Sequence, residues 1–157
     1  MNSVNKTLYI PLYGKSYVSK KGLFLDDKKA EEIWDAEGFL LKGKSKSKWL
    51  AYYMGIRAAV FDEWVWGQMS ALPDAAVIHI GCGMDSRVIR VGDKDHKWYD
   101  LDFPDVIEER KRYYTETDNY KMPMTSTIEV RSCDCMVSAR RSVSSTAVFA
   151  AVSKPME

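Results

Sequence analysis

The chain has 157 residues, of which 46% are hydrophobic and 29% charged, a composition typical of globular proteins and not of disordered ones. Lys and Arg number 23 against 22 for Asp and Glu, so the formal net charge of +1 gives no support to a nucleic-acid or membrane partner. The sequence also lacks a long apolar run, a signal-peptide pattern and an even set of cysteines. We therefore expect one globular domain, or one domain with an appendage, in the cytoplasm.

The N-terminal part is expected to be largely helical after an irregular opening. The opening is interrupted by Pro11, Gly14 and Gly22. Asp26-Asp27 then offers an N-cap for a helix from Lys28 to about Phe39. The basic stretch 42–48 is expected to be a solvated connector, because phosphate binding would need a broader basic face.

A second, longer helix is predicted from a cap at Ser47 to about Met69. Its apolar residues recur at spacings of four, three, four and four, which matches one stripe on a 3.6-residue period. The stripe consists of Trp49, Tyr53, Ile56, Val60 and Trp64. We expect such aromatic residues to pack in the core or between domains, with Trp49, Tyr52 and Tyr53 as candidates for a substrate entrance.

The middle of the chain predicts a parallel sheet. Ala75–Ile80 is short, apolar and rich in β-branched residues, like a buried strand. It leads into a glycine-containing turn, a second strand at His96–Leu101 and a helix that begins at Phe103-Pro104. This βαβα order indicates an α/β fold.

The turn after the first strand has the chemistry of a nucleoside-binding site. Gly81 and Gly83 allow a sharp turn and a close approach of a ligand to the backbone. An acid nineteen positions after Gly83, Asp102, can accept the hydroxyls of a ribose; Asp100 is the alternative on the same strand face. Ser86 stands where a dinucleotide fingerprint needs its third glycine, which disfavours a pyrophosphate-bearing cofactor.

These residues resemble a known family. VIHIGCGMDSRVIRV and the following WYDLDFPDVIEERKRYY are similar to the class I S-adenosylmethionine-dependent methyltransferases. More narrowly, the G-x-G-x-D-S-R turn and the later D-F-P resemble the leucine carboxyl methyltransferase and tetracenomycin-type polyketide O-methyltransferase family. The resemblance runs from about Thr7 to Met122 and implies a Rossmann-like fold with an N-terminal helical cap.

The resemblance also implies roles for individual residues. Lys15 and Arg57 match the pair that binds the methionine carboxylate of the cofactor, and Asp85 and Arg87 are expected to fix the turn and the start of the helix that follows it. A solvated Lys15, and an Arg57 paired with Asp62 or Glu63 on its own helix, are the structural alternatives. The complete set matched to the S-adenosylmethionine site is Lys15, Arg57, Gly81, Gly83 and Asp102.

The tail departs from the family pattern. Nothing after Met122 matches the family's later strands, although Ile128–Arg131 and Thr146–Val152 have the composition of strands. We expect a helical cap at 1–70, half of a cofactor-binding domain at 71–122 and an atypical tail at 123–157. The sheet would then be incomplete, with an exposed edge and an exposed apolar face.

The remaining reactive residues indicate no further site. His79 is expected to be a satisfied core histidine, His96 an exposed one and Cys82 a small buried residue. Cys133 and Cys135 have the wrong spacing for a zinc or redox pair, so no metal is expected.

The function expected from the resemblance is methyl transfer from S-adenosylmethionine to a hydroxyl or carboxylate of a small, polyketide-like molecule. No catalytic residue and no oligomeric state follow from the sequence. The alternative is a non-catalytic remnant that binds the cofactor weakly or not at all. A nicotinamide-dependent dehydrogenase is a third and weaker interpretation.

Overall fold

A computed structural model describes residues 3–37, 47–92, 95–123 and 148–152. Contacts divide the chain into two compact units. Unit 1 comprises Met1–Val65 and Met84–Val91, and unit 2 comprises Trp66–Gly83 and Gly92–Glu157. The fold class α/β is confirmed, because helices accompany a small sheet with parallel strands. Within the described residues, no helix combines the length and the apolar character needed to cross a bilayer.

Unit 1 begins with a helix where an irregular segment was predicted. Helix α1 spans Ser3–Lys20 and contains Pro11. The prediction was wrong because burial at helical spacing outweighs one proline: Tyr9, Leu12 and Ser16 form one buried face, while Pro11 is exposed. A helical proline costs roughly 3 kcal/mol, which this packing offsets.

Helix α2, Lys28–Glu37, starts where the sequence predicted. Asp27 is its N-cap, since a carboxylate oxygen accepts a hydrogen bond from the Ala30 amide at 2.9 Å. The helix packs on α1, with the rings of Tyr13 and Trp34 at 5.1 Å. The predicted end near Phe39 and most of the 42–48 connector lie outside the described residues.

Helix α3 spans Lys48–Ala71, as predicted from Ser47 to Met69, but it buries the opposite face. The apolar stripe from Trp49 to Trp64 is exposed, so of the two places expected for its aromatic residues, the core is wrong. The buried face carries Ala51, Gly55 and Ala58. Small residues allow the α1 and α3 backbones to approach closely, which large side chains in the stripe would prevent.

A glycine of α3 provides a direct test of this close approach. A Cβ placed on Gly55 would lie 2.6 Å from Cγ2 of Val18, whereas one on Gly67 would meet nothing within 4 Å. We expect Gly55→Ala to lower the free energy of unfolding by about 1–3 kcal/mol through overpacking. Gly67→Ala should raise it by about 0.5–1 kcal/mol through helix propensity. Urea denaturation of both variants checks this, and equal effects of the two would contradict the packing.

Unit 2 contains the sheet. Strand β1 is Ala76–Ile80 and β2 is Trp98–Leu101, and they pair in parallel with Ile80 opposite Leu101. Helix α5, Pro104–Arg110, follows β2 with its proline in the first turn, as predicted. Strand β3, Tyr120–Lys121, pairs in parallel with β2. The one-turn helix α4, Arg87–Arg90, belongs to unit 1.

The tail contributes a fourth strand. Strand β4, Val148–Val152, confirms the predicted strand at Thr146–Val152 and pairs antiparallel with β1. The order across the sheet is β3-β2-β1-β4. Backbone pairing with β4 therefore covers this side of β1. The possible strand at Ile128–Arg131 lies outside the described residues.

One histidine was misplaced by the sequence analysis. His96 was expected to be exposed, but it is buried and its Nε2 lies 3.2 Å from the carbonyl oxygen of Leu72. The residue precedes β2, where a polar side chain can reach the backbone at the C-terminal end of α3. Cys82 is buried, as predicted.

Candidate functional site

The glycine turn follows β1 directly. Gly81 and Gly83 have φ angles of +68° and +51°, in the left-handed region that glycine adopts without strain. The Gly81 amide donates to the carbonyl oxygen of Leu101 at 2.7 Å, which ties the turn to the end of β2. The two positions therefore need glycine for their backbone conformation as well as for any ligand.

Asp102 holds the same turn from the other strand. One carboxylate oxygen accepts a hydrogen bond from the Gly83 amide at 2.8 Å, and the other accepts one from the Phe103 amide at 2.8 Å. The side chain is largely buried, at 9% exposure. The structure thus brings Gly83 and Asp102 together, at the carboxyl ends of β1 and β2. A carboxylate has about four acceptor positions, so Asp102 can orient the turn and still accept a ligand hydroxyl.

Asp100, the alternative acid, has a structural role. It is fully buried and receives hydrogen bonds from Nη2 of Arg110 at 2.5 Å, Nε1 of Trp98 at 2.8 Å and the hydroxyl of Tyr120 at 2.9 Å. Nδ1 of His79 lies 3.0 Å away, which confirms the prediction of a satisfied core histidine. Burial disfavours the charge, but Arg110 and these hydrogen bonds outweigh it and lower the pKa of Asp100 to about 2.

Arg110 is a residue that the sequence analysis missed. It is fully buried, donates to the carbonyl oxygen of Gly83 at 2.9 Å, and its guanidinium lies 3.9 Å from the ring centre of Tyr114. Burial opposes its charge, but Asp100 outweighs this and raises the pKa of Arg110. The signal was its spacing: Arg110 follows the buried Val106 and Ile107 by four and three positions, on the same helix face.

In unit 1, Lys15 is buried and not solvated. Its Nζ lies 2.7 Å from a carboxylate oxygen of Asp85. Burial lowers the pKa of Lys15, and the nearby Asp85 opposes that shift. The residue that the resemblance assigns to a ligand carboxylate therefore already contacts a carboxylate of the protein.

The segment after the glycine turn is held by charged residues from α1, from the N-cap of α2 and from α3. Nε of Arg87 donates to Asp62 at 2.7 Å, and Nε of Arg90 donates to the other oxygen of Asp62 at 2.5 Å. Arg90 also lies 2.5 Å from Asp27 and 3.1 Å from Asp85. The expected role of Asp85 and Arg87 in fixing this segment is confirmed, whereas Asp27, Asp62 and Arg90 were missed.

Ser86 shows why a third glycine is absent. It is fully buried, and its hydroxyl donates to Asp27 at 2.5 Å while it accepts from Nη1 of Arg90 at 2.8 Å. A glycine here would lose both hydrogen bonds. The position serves the packing of unit 1.

Arg57 lies on α3 and is half-buried. Of the two partners considered for it, Asp62 accepts hydrogen bonds from Arg87 and Arg90. Lys15 and Arg57 belong to unit 1, and Gly81, Gly83 and Asp102 to unit 2. The predicted site residues thus fall into two groups, and in the second group the Gly83 amide contacts Asp102.

No cluster of three or more His, Cys, Asp or Glu side chains suited to a metal ion occurs in the described part of the chain. Cys133 and Cys135 lie outside the described residues.

Comparison with known proteins places the chain in a methyltransferase class. The family model for leucine carboxyl methyltransferase matches residues 7–140, most of the chain, so the chain belongs to the leucine carboxyl methyltransferase family. The match begins at Thr7, as predicted, and extends beyond the expected limit at Met122.

A curated relative agrees with this family. The chain is 48% identical over 67 residues to the tetracenomycin polyketide synthesis O-methyltransferase TcmP of Streptomyces glaucescens. That match covers 42% of this chain and 25% of the relative, so the chain spans about a quarter of the length of the protein it matches. No solved structure matches the chain significantly.

Proposed function

We propose that this chain binds S-adenosylmethionine and transfers its methyl group to an oxygen of a small-molecule acceptor. The observation that carries the proposal is the contact between the Gly83 amide and Asp102 at 2.8 Å. It joins a glycine turn and an oriented carboxylate at the carboxyl ends of the parallel strands β1 and β2, the position where nucleoside ligands bind in α/β sheets. Membership of the family and the name of the relative support methyl transfer.

The fold proposed is the Rossmann-like fold of the class I methyltransferases. The strand order β3-β2-β1-β4 is that of the first four strands of the doubly wound fold. In that fold, ligands bind outside the carboxyl ends of the strands where the order reverses, next to β1. The antiparallel direction of β4 is a departure from the pattern.

The residues present fit the cofactor. Asp102 would accept the ribose hydroxyls, and Gly81 and Gly83 would leave room for the nucleoside beside the backbone. The family resemblance assigns the methionine carboxylate to Arg57, whose guanidinium can form paired hydrogen bonds, and to Lys15. When bound, the cofactor supplies an activated methyl group on a sulfonium.

The protein's contribution to the transfer would be positioning. Holding two reactants in line can supply several kcal/mol of the barrier reduction without a catalytic side chain. A carboxylate acceptor is already ionised at neutral pH and needs no base, whereas a hydroxyl acceptor does. The polyketide-like class of acceptor is proposed from the relative's name.

A non-catalytic chain is the second candidate. The observation that favours it is the antiparallel pairing of β4 with β1, which departs from the parallel sheet of the doubly wound fold. A nicotinamide cofactor is disfavoured, because the dinucleotide-binding fingerprint needs glycine at position 86. Ser86 stands there and its hydroxyl is hydrogen-bonded to Asp27 and Arg90.

The cofactor assignment is tested by matched substitutions at two positions. We expect Asp102→Asn to weaken S-adenosylmethionine binding at least tenfold, about 1.4 kcal/mol, because a carboxylate acceptor is lost. Asp105→Asn, at an exposed acid of α5, should leave the affinity unchanged. Equilibrium dialysis with labelled cofactor measures both.

Arg57→Ala provides a second test of cofactor binding, which remains valid if Asp102→Asn disturbs the turn. It should also weaken binding at least tenfold, while Arg112→Ala, at an exposed arginine paired with Glu109, should not. Circular dichroism confirms that each variant is folded. Unchanged affinity in both folded test variants would contradict the assignment.

A further inference from the structure

Helix α3 presents a row of large apolar side chains to solvent. Its outer face is defined by Trp49, Tyr53, Ile56, Val60 and Trp64, which are 85%, 57%, 52%, 60% and 46% exposed. At 100° per residue, these five lie on one side of the helix, opposite the buried residues Ala51, Ala58, Asp62 and Val65. The outer face belongs entirely to unit 1.

The outer face is large for a monomer. It runs for roughly 22 Å along the helix. From the exposed fractions, its apolar area is on the order of 600 Å², at the upper end of what monomers expose in one patch. Two such faces would bury about 1,200 Å² together, the lower bound for a specific protein–protein interface.

The spacing of the outer face is self-complementary. In an antiparallel pair of α3 helices with a twofold axis between Ile56 and Arg57, Trp49 lies opposite Trp64 of the second copy. Tyr53 then lies opposite Val60, so large residues close both ends and smaller ones meet near the axis. A twofold interface requires this property, because each patch must match itself in reverse.

The charges beside the outer face agree with the same arrangement. Exposed Lys48 and Glu63 lie on one flank of α3, at opposite ends of the face. The antiparallel pairing brings Lys48 of one copy to within two residues, about 3 Å along the helix axis, of the level of Glu63 of the other copy, at both ends of the interface. The half-buried Arg57 falls on the other flank of α3, outside the outer face.

We propose that the chain self-associates into a twofold dimer through the outer face of α3, with the two helices antiparallel. This inference does not depend on cofactor binding or methyl transfer. It assigns an interface of the full chain with a second copy of itself.

The first test is sedimentation of the full chain and of two matched variants. Ile56→Lys places a charge near the axis, and Ile89→Lys places one on the similarly exposed Ile89 of α4, at 57%. We expect a concentration-dependent dimer whose dissociation constant rises at least tenfold in Ile56→Lys and stays unchanged in Ile89→Lys. A wild-type chain that remains monomeric up to about 100 μM, or equal behaviour of the two variants, would overturn the proposal.

Charge reversal tests the antiparallel arrangement. Lys48→Glu should weaken the dimer, and Lys48→Glu combined with Glu63→Lys should restore it. Both positions are exposed, so folding should be preserved, as circular dichroism can verify. Failure of the double variant to restore association would overturn the antiparallel pairing. A monomer that instead captures detergent micelles through this face, lost in Ile56→Lys, would overturn the proposal in favour of an apolar ligand.

Discussion

Replacement of Asp100 by alanine is expected to lower the free energy of unfolding by about 3–5 kcal/mol. The substitution leaves the guanidinium of Arg110 in a fully buried site without its carboxylate partner. It also removes the acceptor for Trp98 and Tyr120. The cost of such stranded groups exceeds the net value of the hydrogen bonds themselves.

Chemical denaturation followed by fluorescence measures this loss. Asp105→Ala, at an exposed acid in the neighbouring helix, is the control and should change stability by less than about 0.5 kcal/mol. A loss below about 1 kcal/mol in Asp100→Ala would contradict the proposed network.

The carboxylate of Asp100 also makes the free energy of unfolding depend on pH. The pKa of Asp100 is lowered to about 2 in the folded chain, from 3.8, because Arg110 and its hydrogen bonds outweigh the effect of burial. The unfolded chain therefore takes up a proton first as the pH falls. The stabilisation is complete above about pH 4 and is lost between about pH 4 and pH 2, amounting to about 2 kcal/mol. Denaturation across this range should show the slope in the wild type and a smaller slope in Asp100→Asn.

Replacement of Asp62 by alanine is the second large effect, at about 3–4 kcal/mol. Asp62 accepts hydrogen bonds from the Nε atoms of both Arg87 and Arg90, and all three side chains are largely buried. The remaining carboxylates near Arg90, those of Asp27 and Asp85, offset part of the loss. The loss of stability should be largest at residues 84–91, because these ion pairs hold that segment in unit 1.

Two readouts separate this effect from general destabilisation. Glu63→Ala, at the adjacent exposed acid, should be nearly neutral in denaturation. Amide hydrogen exchange should accelerate in Asp62→Ala at residues 84–91 before it does in the rest of unit 1. Equal stabilities of the two variants would show that Asp62 does not hold the segment.

The sheet and its turn were predictable because their signals are local. An apolar β-branched run, two glycines and an acid nineteen positions later specify β1, the turn and Asp102 without knowledge of the rest of the fold. The choice between Asp100 and Asp102 was not local. It depends on Arg110, which reaches Asp100 from α5 and takes that acid into the core.

The packing of the helices was harder to predict, because periodicity shows which residues share a face of a helix but not which face is buried. The stripe of α3 is the more apolar side, yet packing against α1 selects the side with Ala51, Gly55 and Ala58. Pro11 led to the wrong prediction of an irregular segment. The burial of α1 residues at helical spacing outweighs the local tendency of proline to interrupt a helix. The charged residues that hold segment 84–91 come from α1, the N-cap of α2 and α3, and sequence spacing gives no indication that they meet.

Calorimetric titration of the full chain with S-adenosylmethionine is the measurement that tests the central claim most directly. The proposed site predicts saturable binding at about one cofactor per chain, with a dissociation constant on the order of 10 μM. Absence of binding by a chain that circular dichroism shows to be folded would contradict it. The glycine turn and Asp102 would then be structural features retained without a cofactor site.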